Sequence, residues 1–303
     1  MKNKTVLVTG ATGYIGGNLV EKLISEDYTV HLIVRPNSHV DKLKKKFSNI
    51  NLHVYDGSVD SLIQIFKGKG INTVFHLAAS CVTEHKPKDI SVLIESNILF
   101  GTQLLEAMVQ SGVKNLINTG TYWQHFDGPE YNPVALYAAT KEAFENIVKY
   151  YVEAYALNAI TLKLYDTYGP NDSRNKIINL LYDTYKNNSI LETSPGYQLL
   201  DLVYIDDIIE AFICAEILLN DEKKGSQKTY FVTSQQLITL RDVVKTFEDI
   251  IGEKLNLQWG KRNYRNREVL RPWNDGEILP NWEIKKNLSQ GLKKLIEINE
   301  KIN

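Results

Sequence analysis

Residues 5–24, TVLVTGATGYIGGNLVEKLI, constrain this chain more than any other segment. A short apolar, β-branched run ends at Gly10 and an amphipathic pattern begins at Tyr14, so Gly10, Gly13 and Gly16 stand in a strand-to-helix turn. Glycine there lets the backbone turn tightly and approach an anion, while the first N–H groups and the dipole of the helix favour negative charge. Such a turn fits the pyrophosphate of a dinucleotide, with Gly10, Thr12, Gly13, Tyr14, Ile15 and Gly16 around it; the bland alternative is a glycine turn without a ligand.

The first half repeats this rhythm. Strands are expected over 5–9, 29–34, 52–55, 73–77, 115–119 and 160–164, and helices over 14–25, 41–47, 59–66, 92–110 and 136–156. Six such units predict an α/β fold with a Rossmann-like, doubly wound parallel sheet. At 303 residues the chain exceeds the roughly 100–200 of one typical domain. Residues 1–165 are therefore assigned to the dinucleotide-binding domain, with 199–215 returning to it. Residues 166–198 and 216–303 form a smaller, discontinuous substrate-binding lobe, with a helix near 175–185, a strand over 202–205 and a lysine-rich helix over 285–303. Gly169-Pro170 breaks the chain between the two parts.

A net charge of −1 with 23% charged residues gives no field that would draw nucleic acid or an anionic membrane. The run Val6–Val8 is too short for a secretory core or a membrane span. Cys81 and Cys214 stand far apart without ligand spacing, which fits a reducing compartment, and a cytoplasmic location is expected. His76, Cys81 and His85 match no zinc signature, so no metal is expected.

A site selective for NAD places an acid about twenty residues beyond the glycine turn, whereas an arginine there accommodates the extra phosphate of NADP. This chain has Arg35 and no acid in Val34-Arg35-Pro36-Asn37-Ser38, so NADP(H) is expected, with NAD(H) as the alternative and a solvated Arg35 as the plain reading. Asp56, beside Gly57, could accept from the adenine amino group or simply close an Asx turn.

Tyr137 and Lys141 lie four apart in a helical pattern, on one face. A cation beside a phenol favours phenolate, and the spacing predicts a lowered tyrosine pKa and proton exchange with a carbonyl or alcohol oxygen. The hydroxyl that holds the substrate oxygen should come from the preceding strand end, Asn118-Thr119-Gly120-Thr121. Thr119 is the first choice and Thr121 the alternative, the two being expected to exchange directions with the end of the strand.

Thr9-Gly10-Ala11-Thr12-Gly13-Tyr14-Ile15-Gly16, His76-Leu77-Ala78-Ala79, Asn97, Tyr137/Lys141 and Tyr168-Gly169-Pro170 resemble the extended short-chain dehydrogenases that act on nucleotide sugars, over about residues 4–220. Residues 119–125, 131–141, 162–172 and 199–207 look like the 4-ketoreductases of the CDP-abequose and CDP-paratose synthase type. The resemblance implies Leu77, Ala78, Ala79 and Asn97 at the cofactor, a nucleotide-diphosphate sugar as substrate and a homodimer. Dehydratases of the family carry an acidic pair where this chain has Gly120 and Thr121, which favours reduction or epimerisation over elimination. A common arginine is replaced by Leu200 before Asp201, and a common asparagine by Asp166. An acid near a diphosphate is repulsive, so Asp166 is expected to face sugar hydroxyls, the nicotinamide side or a backbone donor. The diphosphate then needs Arg174, Arg267 or Arg271. The expected activity is NADPH-dependent reduction of a 4-keto-6-deoxysugar nucleotide for a surface polysaccharide such as O-antigen. The rivals are a 4-epimerase with tightly bound NAD and a non-catalytic dinucleotide sensor.

Overall fold

The computed structural model describes residues 4–47, 50–220 and 224–302. The six expected apolar runs become β1 (Thr5–Thr9), β2 (Thr29–Val34), β3 (Asn51–Val54), β4 (Thr73–His76), β5 (Asn115–Thr121) and β6 (Asn158–Leu164). Short strands β7 (Asp166–Tyr168), β8 (Leu191–Glu192) and β9 (Leu199–Tyr204) follow, then β10 (Gln227–Val232), β11 (Leu237–Thr239) and β12 (Leu257–Gln258). The main sheet has seven parallel strands in the order β10-β6-β5-β4-β1-β2-β3. The chain leaves β1 toward β2 on one side and later returns to β4 on the other, so the strand order reverses at β1 and opens a crevice at the carboxyl ends.

Helices α1 (Tyr14–Ser25), α2 (Asp41–Lys46), α3 (Val59–Phe66), α4 (Ile90–Ile94), α5 (Phe100–Gln110) and α6 (Leu136–Tyr155) connect these strands. The later helices are α7 (Ile177–Asn187), α8 (Ile205–Asn220), α9 (Leu240–Ile251) and α10 (Leu288–Ile302). Side chains of one strand alternate between the two faces. Val6 and Val8 accordingly join a core with Leu19, Phe212 and Phe247, whereas Leu7 joins Leu62, Leu105 and Phe144 on the other side. Gly101 sits where α5 and α6 touch, since a Cβ there would lie 2.4 Å from the Phe144 ring. Pro87–Gln110 is one helical run, long and apolar enough to cross a membrane, yet it packs on α3 and α6.

Two boundaries differ from expectation. β5 runs on to Thr121 rather than stopping at 119, because it stays paired with β6 as far as Leu164. Strand β10, from the stretch given to the substrate lobe, instead forms the outer strand of the main sheet beside β6. Two further small sheets are β11-β9-β7 and β12-β8; within 199–215, the stretch expected to return to the dinucleotide-binding domain, β9 pairs with β7 and β11, and α8 packs on α1, β5 and β6.

Candidate active site

The carboxyl end of β1 carries the glycine turn. Gly10 has φ +76, and a Cβ on it would lie 2.7 Å from the Ala78 nitrogen. A Cβ on Gly16 would lie 2.2 Å from the Gly10 oxygen, so neither position admits a side chain without moving backbone. Gly13 is less confined, at 3.2 Å from the same oxygen, and serves as N-cap of α1. No side chain caps α1 and no acid stands in its first turn, which leaves its N–H groups directed at the crevice where Thr12 is exposed. Tyr14 and Ile15 begin the helix; the Tyr14 hydroxyl donates to the Pro170 carbonyl at 3.2 Å.

The floor of this crevice is tied together by Thr9, whose Oγ1 lies 2.9 Å from His76 Nδ1 and accepts from the Ala78 nitrogen at 3.1 Å. Burial holds His76 neutral, pulling its pKa down to about 3. Leu77, Ala78 and Ala79 follow β4 directly across from the turn. Asn97 lies behind them in a π-turn, Glu95–Leu99. Its amide accepts from the Ser80 nitrogen and donates to the Ser80 carbonyl and to Thr140 Oγ1, so the side chain is spent on joining the β4 loop to α6. At the ends of β2 and β3, Arg35 is exposed in a turn closed by Ser38. Asp56 takes the Asx-turn geometry, one carboxylate oxygen accepting from both the nitrogen and the hydroxyl of Ser58, with Gly57 open beside it.

Helix α6 packs against β5 and carries Tyr137 and Lys141. Burial keeps the Tyr137 phenol well above its usual pKa, opposite to the lowering expected from the spacing. Desolvation also pulls the Lys141 ammonium down to about 8 against the pull of Glu145, so it keeps its charge at neutral pH. Thr119 and Thr121 are two apart on one strand and face the same side, so the end of the strand cannot exchange their directions as expected. They differ in engagement: Thr121 Oγ1 caps the following turn by accepting from the Trp123 nitrogen, whereas Thr119 Oγ1 is buried with no partner among the described residues.

The predicted diphosphate cations fare differently. Arg174 is consumed within the protein, held to Asp172 by two hydrogen bonds of 2.8 Å, to the Thr167 carbonyl at 3.0 Å, and stacked on Tyr14. Arg267 donates to Asn132 and covers Phe126. Arg271 is exposed beside the start of β9, where the Leu199 nitrogen donates to the Leu270 carbonyl. Asp166 accepts from the Tyr122 hydroxyl at 3.1 Å and pairs with Lys176 at 3.2 Å. Asp201 is buried and accepts from Thr233 and the Ser234 nitrogen.

Sequence reasoning passed over Arg265, which Glu268 holds at 2.7 and 2.8 Å with its guanidinium 5.3 Å from the Trp123 ring centroid, and Cys81, within electrostatic reach of Tyr137 and Lys141. Nothing in the segment NYRNREVLR distinguishes Arg265 from its neighbours; only the fold brings it inward. The arrangement offers an anion cradle, a protonated phenol, a buried ammonium and a strand-end hydroxyl toward the carboxyl ends of the central strands, which suits a dinucleotide beside a carbonyl or alcohol.

A sequence profile described as the NAD dependent epimerase/dehydratase family matches residues 6–232. A CDP-abequose synthase of Yersinia pseudotuberculosis is 30% identical over 270 residues, covering 88% of this chain and 91% of that protein. A UDP-glucuronate 4-epimerase of Thermodesulfobacterium geofontis is 28% identical over 311 residues, covering 96% and 94%. Among solved structures, a UDP-glucuronic acid 4-epimerase from Bacillus cereus in complex with UDP-glucuronic acid and NAD superposes with a TM-score of 0.83 at 22% identity, covering 99% of this chain and 100% of that one.

Proposed function

The chain belongs to the NAD dependent epimerase/dehydratase family of enzymes, and from that premise we propose that it is an NADP(H)-dependent 4-ketoreductase of a nucleotide-diphospho 4-keto-6-deoxysugar, CDP-linked and 3,6-dideoxy in the first instance. The observation that carries this reading is the end of β5: Thr119 offers a hydroxyl with no partner among the described residues, Thr121 is spent as a cap, and Gly120 has no side chain. The strand end thus supplies a hydroxyl to hold an oxygen and no carboxylate of its own to carry out an elimination. The identity with a CDP-abequose synthase points the same way.

The residues fit a dinucleotide, since Gly10 and Gly16 leave a cradle that a Cβ would fill and α1 presents uncapped N–H groups. Leu77, Ala78 and Ala79 would line it, Gly57 would leave room at the adenine end, and Arg35 would meet a 2′-phosphate. When bound, the nicotinamide supplies the hydride for the sugar carbon. Tyr137 Oη holds a proton at neutral pH, as its burial favours, and passes it to the carbonyl oxygen as negative charge develops there. Thr119 Oγ1 orients that oxygen, and the Lys141 ammonium stabilises the phenolate left behind and would hold the nicotinamide ribose. Asn97 holds the β4 loop in place. Thr121, Asp166 and Arg271 line the sugar and diphosphate side, with Arg174 withdrawn to a structural part. Free thiols at Cys81 and Cys214 suit a cytoplasmic protein. Exposed Ile90, Ile94 and Leu99 on the Pro87–Gln110 run, with Tyr150 and Tyr155 on α6, suit a homodimer.

A second reading, a 4-epimerase with tightly bound NAD, is favoured by the identity with a UDP-glucuronate 4-epimerase. The two separate in one assay: NADPH and NADH oxidation against CDP-, dTDP-, GDP- and UDP-linked 4-keto-6-deoxysugars. Turnover with NADPH and one nucleotide, lost in Tyr137→Phe while cofactor binding persists, is the expected result. No oxidation, with dinucleotide retained through purification, would replace the reductase by the epimerase.

A further inference from the structure

Behind the end of β5 lies a buried ionic cluster that the reaction as described leaves unused. Lys163, the cross-strand partner of Gly120, is 5% exposed. Its Nζ lies 2.9 Å from His125 Nε2, 3.6 Å from Glu145 and 3.9 Å from Glu142, with the Phe231 ring centroid at 5.7 Å. An ammonium can only donate and the Glu130 carbonyl, 3.3 Å from His125 Nδ1, can only accept, so His125 is neutral with its proton on Nδ1. Both carboxylates stand on α6, and Gln124, fully buried, donates to each of them. The Gln124 carbonyl oxygen accepts from the Thr121 nitrogen at 3.0 Å. Glu145 also accepts from Thr229 at 2.7 Å on β10.

Burying an ammonium is costly unless it is paired, and an apolar side chain would fill a β-strand core at less expense. The charge at 163 therefore calls for a use, and its position supplies one. The cluster joins the two elements that must be in register for the reaction: the strand end with Thr119, and the helix with Tyr137 and Lys141. Glu145 follows Lys141 by one helical turn and is the carboxylate that acts on it; Cys81 after β4 acts on it too, and His76 on β4 feels its charge.

We propose that Lys163 is a positioning residue of the reaction: through Glu145 and Gln124 it locks the Thr119 strand end against the Tyr137/Lys141 helix, and it sets the charge that Lys141 faces. The proposal rests on the reading of Tyr137 and Lys141 as the reacting pair. With Lys163 in place, part of the negative charge of Glu145 is neutralised; without it, Lys141 faces the full carboxylate.

The test follows the Lys141 ammonium directly, by carbon NMR of protein labelled at the lysine ε-carbon, the signal being assigned by its loss in Lys141→Arg. Lys163→Met should raise the Lys141 midpoint by about one pH unit and Glu145→Gln should lower it by a similar amount, while Lys163→Arg leaves it nearly in place. In parallel, Lys163→Met should lower kcat for NADPH oxidation about tenfold with little change in the KM for NADPH, and Lys163→Arg should restore most of it. A merely structural cluster would not move one midpoint in opposite directions. A midpoint unmoved in both variants, or moved the same way in both, overturns the proposal; should Lys163→Met not fold, an unmoved midpoint in Glu145→Gln does so alone. If instead Tyr137→Phe stays active, the reading of the reacting pair fails whatever the NMR shows.

Discussion

Lys141 holds a charge where water cannot reach it, at 2% exposure, and its pKa falls from 10.5 to about 8. At roughly 1.4 kcal/mol per pH unit, the charged form destabilises the fold by roughly 3 kcal/mol. Because the folded value lies below the unfolded one, that penalty is complete below pH 8 and fades as pH rises toward 10.5. Lys141→Met is expected to be inactive yet more stable than the parent at pH 7, by about 1–3 kcal/mol in urea unfolding, with the difference closing by about pH 10.5. The parent should lose activity above about pH 8 as the ammonium deprotonates. Equal stability of the two proteins at pH 7 would contradict this account. The pair itself was legible in the sequence, because four-residue spacing on a helix decides which side chains share a face. The direction of the Tyr137 shift was not legible, because burial and Cys81 both raise it, and each is brought to the phenol only by the assembled chain. Arg174 and Arg265 show the same limit: each is a loop arginine held by a nearby acid, Asp172 or Glu268, and only the fold sets one on Tyr14 and the other over Trp123.

At the scale of elements, the glycine turn makes a graded prediction. Gly16→Ala forces a methyl to 2.2 Å from the Gly10 oxygen, so α1 must shift off β1; dinucleotide affinity should fall at least about tenfold with a loss of about 2 kcal/mol in stability. Gly13→Ala, with 3.2 Å available, should be several-fold milder on both counts, measured by NADPH fluorescence and thermal unfolding. Equal effects would show that the turn does not depend on this contact. The strands of the first half were readable within a residue or two because buried parallel strands are short apolar runs bounded by turn residues. Helix α8 was passed over for the opposite reason. Ile205, Ile208, Ile209, Ala211, Phe212 and Ala215 are buried around much of its circumference, so no polar face marks the helical period. Strand β10, QKTYFV, begins with polar residues at the sheet edge and gives little sign of its parallel partner.

For the whole molecule, the exposed Ile90, Ile94 and Leu99 with Tyr150 and Tyr155 predict association of two copies. Light scattering should report twice the 34.6 kDa chain mass, and Ile94→Glu with Leu99→Glu should return it to one chain mass without loss of fold. A single-chain mass for the parent would sink the dimer. The change of rhythm near Tyr165 marks where the long parallel strands give way to short ones, whereas the later return of β10 to the main sheet has no local sign. That return also shapes how the chain must be made. During synthesis from the amino end, β6 is finished at Leu164, yet the strand that covers its open edge ends only at Val232. For the time it takes to add those residues, a row of unpaired backbone groups on an apolar strand is free to meet another nascent chain. The polar start of β10 guards the completed sheet, but nothing guards β6 before it arrives, so yield on expression should depend on how quickly the ribosome traverses residues 165–232.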